Sequence, residues 1–233
     1  MDNYFGYGEG PAIIKWCFDP AELANLSFEE FVRMVSSRNG GEKQRRRLFE
    51  IYNKAASSIG CKATPGVSFE AKTLLEELQQ LHTMILETDK KINDICKRFP
   101  EYACLLSIPG FGPDISSKVL GAVGDPRRFD NGRQVLKMAG LDLGADTSGK
   151  RSDANPVISK KGKADLRYGL YQAALIASTR NHNFMTYFTN KLKDREREKG
   201  ILTNRRVELA AKMLVIAWTL MKKKEMFDPG YIK

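Results

Sequence analysis

Serine hydroxyls and cations lie close together in the segment 147–163, which reads TSGKR at its start and ISKKGK near its end. A serine hydroxyl attacks a phosphodiester only when a base or a metal-polarised target assists it, and Lys or Arg can stabilise the phosphoryl charge. These residue types are therefore compatible with phosphoryl transfer at Ser148. Spacing alone assigns neither a base nor an oxyanion donor, so the same residues also fit a solvent-facing polar loop.

A second motif, IPGFGP at 108–113, has the glycine, apolar, glycine form of a helix-hairpin-helix turn. Gly110 and Gly112 allow a tight turn and close approach of another backbone, and Pro113 suits the first position of a helix. Exposed amides at that helix start can hold a phosphate without reading base sequence. The alternative is an ordinary interhelical turn with Phe111 in the core.

The net positive charge of the chain lies in its C-terminal part. Residues 1–99 hold 14 Lys and Arg against 14 Asp and Glu, so the net charge of +10 comes from residues 100–233. This distribution predicts an anionic partner for the C-terminal part. The residues that we expect to bind DNA are Gly110, Gly112, Arg127, Arg128, Lys150, Arg151, Lys160, Lys161, Lys163 and Arg167.

Metal chemistry has little support in the sequence. The four cysteines form no C-x-x-C pair, and the two histidines are far from them in the chain, which argues against a zinc site. Two carboxylate pairs, Asp142 with Asp146 and Asp125 with Asp130, could in principle bind magnesium. Such residues in turns usually act as caps, so we expect no metal ligand in this chain.

Hydrophobic spacing predicts an all-α protein, because apolar residues recur at steps of three and four. The clearest pattern is a heptad seam formed by Leu74, Leu78, Leu81, Ile85, Thr88, Ile92, Ile95 and Phe99. This seam fits either a coiled coil that joins copies of the chain or an amphipathic helix packed on its own domain. A single further helix is predicted from about Ala164 to Lys199.

These elements predict three sections: a helical linker section at 1–66, a coiled-coil helix at 67–100 and a C-terminal domain at 101–233. The N-terminus has no signal-peptide pattern, and the apolar stretch 209–221 is too short to span a bilayer. We therefore expect a cytoplasmic protein with free thiols and no membrane partner.

The run "SIPGFGPDISSKVLGAVGDPRRF", followed by "LKMAGL", "TSGKR", "ISKKGKADLR" and "YQAALIA", resembles the C-terminal transposase region of the IS110/IS116/IS902 insertion-sequence family. The match covers about residues 103–180. The upstream helices and the heptad helix resemble the linker and coiled coil of that family. In place of the residues usual in the family, the chain has Ser159, Lys163 and Asn155-Pro156.

The resemblance implies a recombinase that uses a serine nucleophile together with a magnesium-binding, RuvC-like domain and a guide RNA. It places the nucleophile at Ser148, and it gives Lys160, Gly162 and Arg167 roles in backbone contact and local architecture. The RuvC-like domain has no counterpart in this sequence, and magnesium is expected only with that domain. We therefore expect this chain to bind DNA and guide RNA but not to recombine DNA alone.

Two other function classes compete with a transposase. In one, the chain is a non-catalytic helix-hairpin-helix module that binds nucleic acid while Ser148 is idle. In the other, the chain is a helical scaffold whose coiled coil is the function. Nucleic-acid binding at low salt separates the scaffold from the first two, and a covalent DNA adduct separates those two from each other.

Overall fold

The computed structural model of the chain describes residues 13, 19–35, 41–58, 64–144 and 157–232. Helices dominate this part of the chain, which confirms the prediction of an all-α fold. The strand structure within the described ranges is one antiparallel pair of two-residue strands, β1 (Leu143–Gly144) and β2 (Val157–Ile158). The helices are α1 (Pro20–Ala24), α2 (Phe28–Val35), α3 (Glu42–Ala56), α4 (Pro65–Cys96), α5 (Pro100–Leu106), α6 (Pro113–Val123), α7 (Gly132–Ala139), α8 (Ala164–Arg180), α9 (His182–Leu192) and α10 (Ile201–Lys223), with 3-10 turns at Pro126–Arg128 and Pro229–Ile232.

Contacts divide the chain into two compact units, Met1–Glu87 and Thr88–Lys233. In the first unit, α1 and α2 pack on α3 around the buried side chains of Leu23, Phe31 and Leu48. A capping box begins α2, because the Ser27 hydroxyl accepts the Glu30 N–H and the Glu30 carboxylate accepts the Ser27 N–H.

The long helix α4 carries the heptad seam. The apolar side chains of the seam are exposed: Leu74, Leu81 and Ile85 each keep 57–58% of their surface accessible. The helix ends at Cys96, so the prediction that the seam continues to Phe99 was wrong. Proline at 100 holds Phe99 in an extended conformation, with φ of −102°, and this ends the helix early.

The second unit is built around α10, which contacts α5, α6, α7, α8 and α9. Its buried side chains include Leu209, Met213, Leu214 and Met221. A ring of helices around one apolar helix explains why this unit can fix the positions of its surface turns.

The predicted helix from 164 to 199 is two helices, α8 and α9. Asn181 separates them in an extended conformation, with φ of −113° and ψ of 124°. Its side chain accepts the Phe184 N–H at 3.2 Å and so begins α9. The apolar spacing on both sides of Asn181 hid this break.

No helix within the described residues is both long enough and apolar enough to cross a bilayer. The thiols of Cys96 and Cys104 are free and buried. Burial raises the pKa of both thiols.

Candidate nucleic-acid interface

The turn between α5 and α6 packs tightly against α8. Gly110 has φ of +91°, and a Cβ added there would lie 2.5 Å from the carbonyl oxygen of Ala173 and 3.2 Å from the Cβ of Ala177. The Phe111 side chain is buried, as the alternative interpretation of this motif expects. The absence of a Cβ at Gly110 therefore allows the turn to pack against α8, and this side of Gly110 faces that helix.

Gly112 differs from Gly110, although the two are only two residues apart. A Cβ on Gly112 would meet nothing within 4 Å, and no side chain caps the start of α6. The first turn of α6 also carries Asp114, whose carboxylate pairs with the Lys118 ammonium at 2.8 Å. The open approach to Gly112 is the part of the motif that a phosphate could reach.

The lysine loop, residues 159–163, is held against the end of α7. The Lys160 N–H donates to the Gly140 carbonyl at 3.1 Å, and the Lys163 N–H donates to the Met138 carbonyl at 3.2 Å. Lys160, Lys161 and Lys163 are exposed, so this loop presents three cations from a braced backbone.

Close contact between Gly140 and Gly162 makes this bracing possible. A Cβ on either glycine would overlap backbone atoms of the other segment. Arg167 completes the junction, since its Nη1 donates to the Ala139 carbonyl at 3.0 Å and to the Gly162 carbonyl at 2.9 Å. The Nη1 group of Arg167 is thus hydrogen-bonded to two backbone carbonyls.

Ser148, Lys150 and Arg151 lie outside the described residues, as do Asp146 and Ser152. The residues that flank this segment are described and are paired. Gly144 is the β partner of Val157, and Leu143 is the partner of Ile158.

One pair next to these strands was not anticipated from the sequence. The Ser159 N–H donates to the Asp142 carbonyl at 2.8 Å, and the Ser159 hydroxyl donates to the Asp142 carboxylate. The strand pairing and this hydrogen bond hold residue 144 next to residue 157. Residue 157 lies two positions before the start of the lysine loop. Seventeen positions separate the two side chains, so no local pattern signals their contact.

The two motifs contact different parts of α8. The lysine loop precedes Ala164 at the start of α8, whereas Gly110 meets the helix at Ala173 and Ala177. The nine residues from 164 to 173 span about 14 Å at 1.5 Å per residue. The motifs therefore belong to one unit without touching each other.

Arg127 and Arg128 lie at the opposite end of α6 from Gly112. The 11 residues of α6 separate them from the turn by about 16 Å. Arg128 donates to the Ala122 carbonyl at 3.0 Å, and its guanidinium lies 4.6 Å from the centre of the Phe129 ring. The side chain of Arg127 is exposed.

The candidate carboxylates act in turns. Asp125 accepts the Arg127 N–H at 2.9 Å, and Asp130 accepts from the Gln134 side-chain amide at 2.9 Å. Within the described residues, no group of three or more His, Cys, Asp or Glu side chains could hold a metal ion. Asp125 and Asp130 thus serve local turn hydrogen bonds, and Asp146 lies outside the described residues.

Comparison with known proteins identifies a family domain in the same region. Residues 102–189 match the family described as transposase, IS116/IS110/IS902 family. The matched range includes the turn at 107–112, the lysine loop and all of α8.

Several whole proteins are similar to the chain over a longer stretch. A probable family 20 transposase of Pseudomonas aeruginosa is 30% identical over 166 residues, which cover 68% of this chain and 46% of that protein. A 44.8 kDa protein of the insertion element IS116 from Streptomyces clavuligerus is 25% identical, with 80% of this chain and 47% of the relative covered. A pilin gene-inverting protein of Moraxella bovis is 24% identical, with 62% and 45% covered. The chain spans about half the length of these curated relatives.

Proposed function

Because residues 102–189 carry the transposase domain of the IS116/IS110/IS902 family, we propose that this chain engages DNA during transposition or site-specific recombination and supplies Ser148 as a nucleophile. The observation that carries the proposal is the braced lysine loop, which directly follows the strand paired with Leu143 and Gly144. Gly144 and Val157 are β partners, and Ser148 is four positions from Gly144 in the sequence.

Covalent geometry limits how far Ser148 can lie from the cations. Four residues span at most about 14 Å, even when fully extended. Lys160 and Lys161 follow the paired strand after one intervening residue. The chain connection therefore keeps Ser148 within about 14 Å of Gly144, whose strand partner Val157 leads into the lysine loop.

The chemistry needs one bond exchange at phosphorus. The Ser148 oxygen forms a bond to the phosphorus of a DNA phosphodiester, and the bond from phosphorus to one sugar oxygen breaks. The serine proton ends on the departing sugar oxygen, and cations stabilise the added negative charge on the phosphoryl group. The product is a phosphoserine link that a second sugar hydroxyl can reverse, and this reversal rejoins DNA.

Backbone contacts would position the DNA. The open start of α6 at Gly112 offers amides to one phosphate, and the exposed lysines of residues 160–163 offer cations to others. The separation of about 14 Å along α8 corresponds to roughly four base pairs at 3.4 Å each. Both motifs could thus follow one stretch of a duplex, or of a duplex formed with a guide RNA. Since the relatives named above are bacterial and bacterial DNA lies in the cytoplasm, the proposed site of action is the cytoplasm.

Self-association through α4 is a further part of the proposal. The seam residues Leu78, Ile92 and Ile95 keep 38%, 42% and 52% of their surface accessible. An apolar heptad stripe of this length favours pairing with the same stripe of a second copy. A homo-oligomer would bring two Ser148 segments to one recombination site.

A covalent trapping experiment tests the nucleophile. The chain is combined with the portion of a full-length relative that it does not cover, and the mixture is given a nicked suicide DNA substrate that traps the adduct. We expect a denaturation-resistant protein–DNA adduct that disappears in Ser148→Ala and persists in the matched variant Ser152→Ala. An undiminished adduct in Ser148→Ala would overturn the role of Ser148 and point to another nucleophile, whereas no adduct in the wild-type mixture would favour a non-catalytic nucleic-acid-binding module.

A further inference from the structure

A cavity of about 210 Å³ opens at the end of α10, beside the 3-10 turn Pro126–Arg128. Its lining includes the cationic side chains of Arg127, Lys222 and Lys224 and the carboxylates of Asp125 and Glu101. The cavity lies at the far end of α6 from Gly112, so it is separate from the turn and the lysine loop described above.

The wall of this cavity is fixed by a buried hydrogen bond. The indole N–H of Trp218 donates to the Pro126 carbonyl at 2.8 Å and fastens the 3-10 turn to α10. The Lys222 ammonium lies 4.9 Å from the centre of the Trp218 ring, within the range of a cation–π interaction. The positions of Arg127 and Lys222 therefore depend on one rigid contact.

The lining of the cavity carries three cationic side chains and two carboxylates, so its formal net charge is +1. The Asp125 carboxylate is used by the Arg127 backbone N–H at 2.9 Å, and Glu101 pairs with Lys224 at 3.7 Å. Among the described residues, the Arg127 guanidinium and the Lys222 ammonium have no carboxylate within ion-pair distance. A concave site with a net positive charge, in which two cations make no ion pair, attracts an anion.

We propose that this cavity binds a phosphate group of a nucleic-acid backbone, with Arg127 and Lys222 as its direct ligands. A planar guanidinium can grip two phosphate oxygens, while an ammonium acts as a point charge beside them. The inference rests on the proposed nucleic-acid function and adds a contact about 16 Å from Gly112, at the other end of α6. It also gives Lys222 a role that its place in the last turn of a helix does not suggest.

Trp218 provides a direct probe, because it touches both Pro126 and Lys222. The indole N–H signal of the full chain is followed by NMR, with Trp16→Phe used to assign it. Inorganic pyrophosphate, octameric oligo-dT and octameric oligo-U are titrated separately. We expect each to shift the Trp218 signal, and the nucleic acid that shifts it at the lower concentration identifies the source of the phosphate.

The double variant Arg127→Gln with Lys222→Gln tests the ligands. We expect it to lose the pyrophosphate response and to reduce the slope of log affinity against log salt by about 0.7, which is one single-strand phosphate contact. At 0.1 M salt this corresponds to about fivefold weaker oligonucleotide binding. The control Lys54→Gln with Lys72→Gln removes two exposed charges from the other compact unit and should keep the wild-type response.

Several outcomes separate this site from the proposed function. A silent Trp218 signal with pyrophosphate and with bound oligonucleotide overturns the site but leaves nucleic-acid binding intact. An equal loss of slope in the control pair also overturns it, because net charge would then explain the effect. A pyrophosphate shift without any oligonucleotide binding supports an anion site and contradicts the proposed function instead.

Discussion

Gly140 and Gly162 meet backbone to backbone where the lysine loop crosses the end of α7, and a Cβ on either residue would overlap the other segment. The contact lets the N–H groups of Lys160 and Lys163 donate to carbonyls at the end of α7. Three exposed lysines are thereby carried by a backbone with few degrees of freedom, which lowers the entropy that DNA binding would cost.

The Arg167 junction should be visible as a loss of stability. Arg167→Gln removes donors from the Ala139 and Gly162 carbonyls, and we expect the free energy of unfolding to fall by about 1–3 kcal/mol. Urea denaturation followed by circular dichroism measures this. Arg180→Gln, which changes an exposed arginine at the end of the same helix, should change stability by less than about 0.5 kcal/mol. Equal stabilities for both variants would contradict the structural role of Arg167.

Substitutions at the two glycines of the α5–α6 turn should affect folding and binding separately. Gly110→Ala introduces a Cβ against the Ala173 carbonyl at a positive φ, so we expect a loss of about 2–4 kcal/mol in the free energy of unfolding. Gly112→Ala enters open space and should leave the unfolding transition within about 0.5 kcal/mol of wild type.

DNA binding by Gly112→Ala provides the second measurement on this turn. The added methyl group blocks close approach to the start of α6, and we expect duplex affinity at 0.1 M salt to fall about three- to tenfold, on the order of one lost phosphate contact. Fluorescence anisotropy with a labelled duplex measures the change. Wild-type affinity in Gly112→Ala would remove the turn from the interface.

The exposed seam of α4 should control the oligomeric state. Leu81→Glu with Ile92→Glu places charges on the stripe, and we expect a self-associated wild-type chain to become monomeric at tens of micromolar in sedimentation velocity. Met84→Glu with Leu86→Glu changes equally exposed apolar residues off the stripe and should preserve the association. A monomeric wild-type chain at high micromolar concentration would contradict the coiled coil.

Glu208 should contribute a pH dependence to stability. Burial opposes its charged form, but hydrogen bonds from Arg205 and Lys191 outweigh this and lower the pKa of Glu208 below the ordinary 4.5. A depressed carboxyl pKa stabilises the fold above about pH 4.5, and that contribution is lost as the pH falls through the folded-state pKa. Urea denaturation between pH 7 and pH 3.5 should show a shallower fall for Glu208→Gln than for wild type. Identical pH profiles of stability for wild type and Glu208→Gln would contradict this role of Glu208.

Local sequence signals determined most of the secondary structure. Apolar spacing of three and four located the helices, and Pro113 marked the start of α6. These signals work because capping and helical neighbours involve residues no more than four positions apart. The same locality explains the missed break at Asn181, since apolar residues continue at helical spacing on both of its sides.

Tertiary packing decided which residues of each motif face the surface. The sequence treats Gly110 and Gly112 alike, but a Cβ on the first would overlap α8 and a Cβ on the second would enter open space. The positive charge of the C-terminal part follows from composition alone, whereas the convergence of Arg127 and Lys222 depends on a hydrogen bond between Trp218 and Pro126, 92 positions apart. Residues so distant meet only because the helices pack around α10, and no spacing along the chain encodes that geometry.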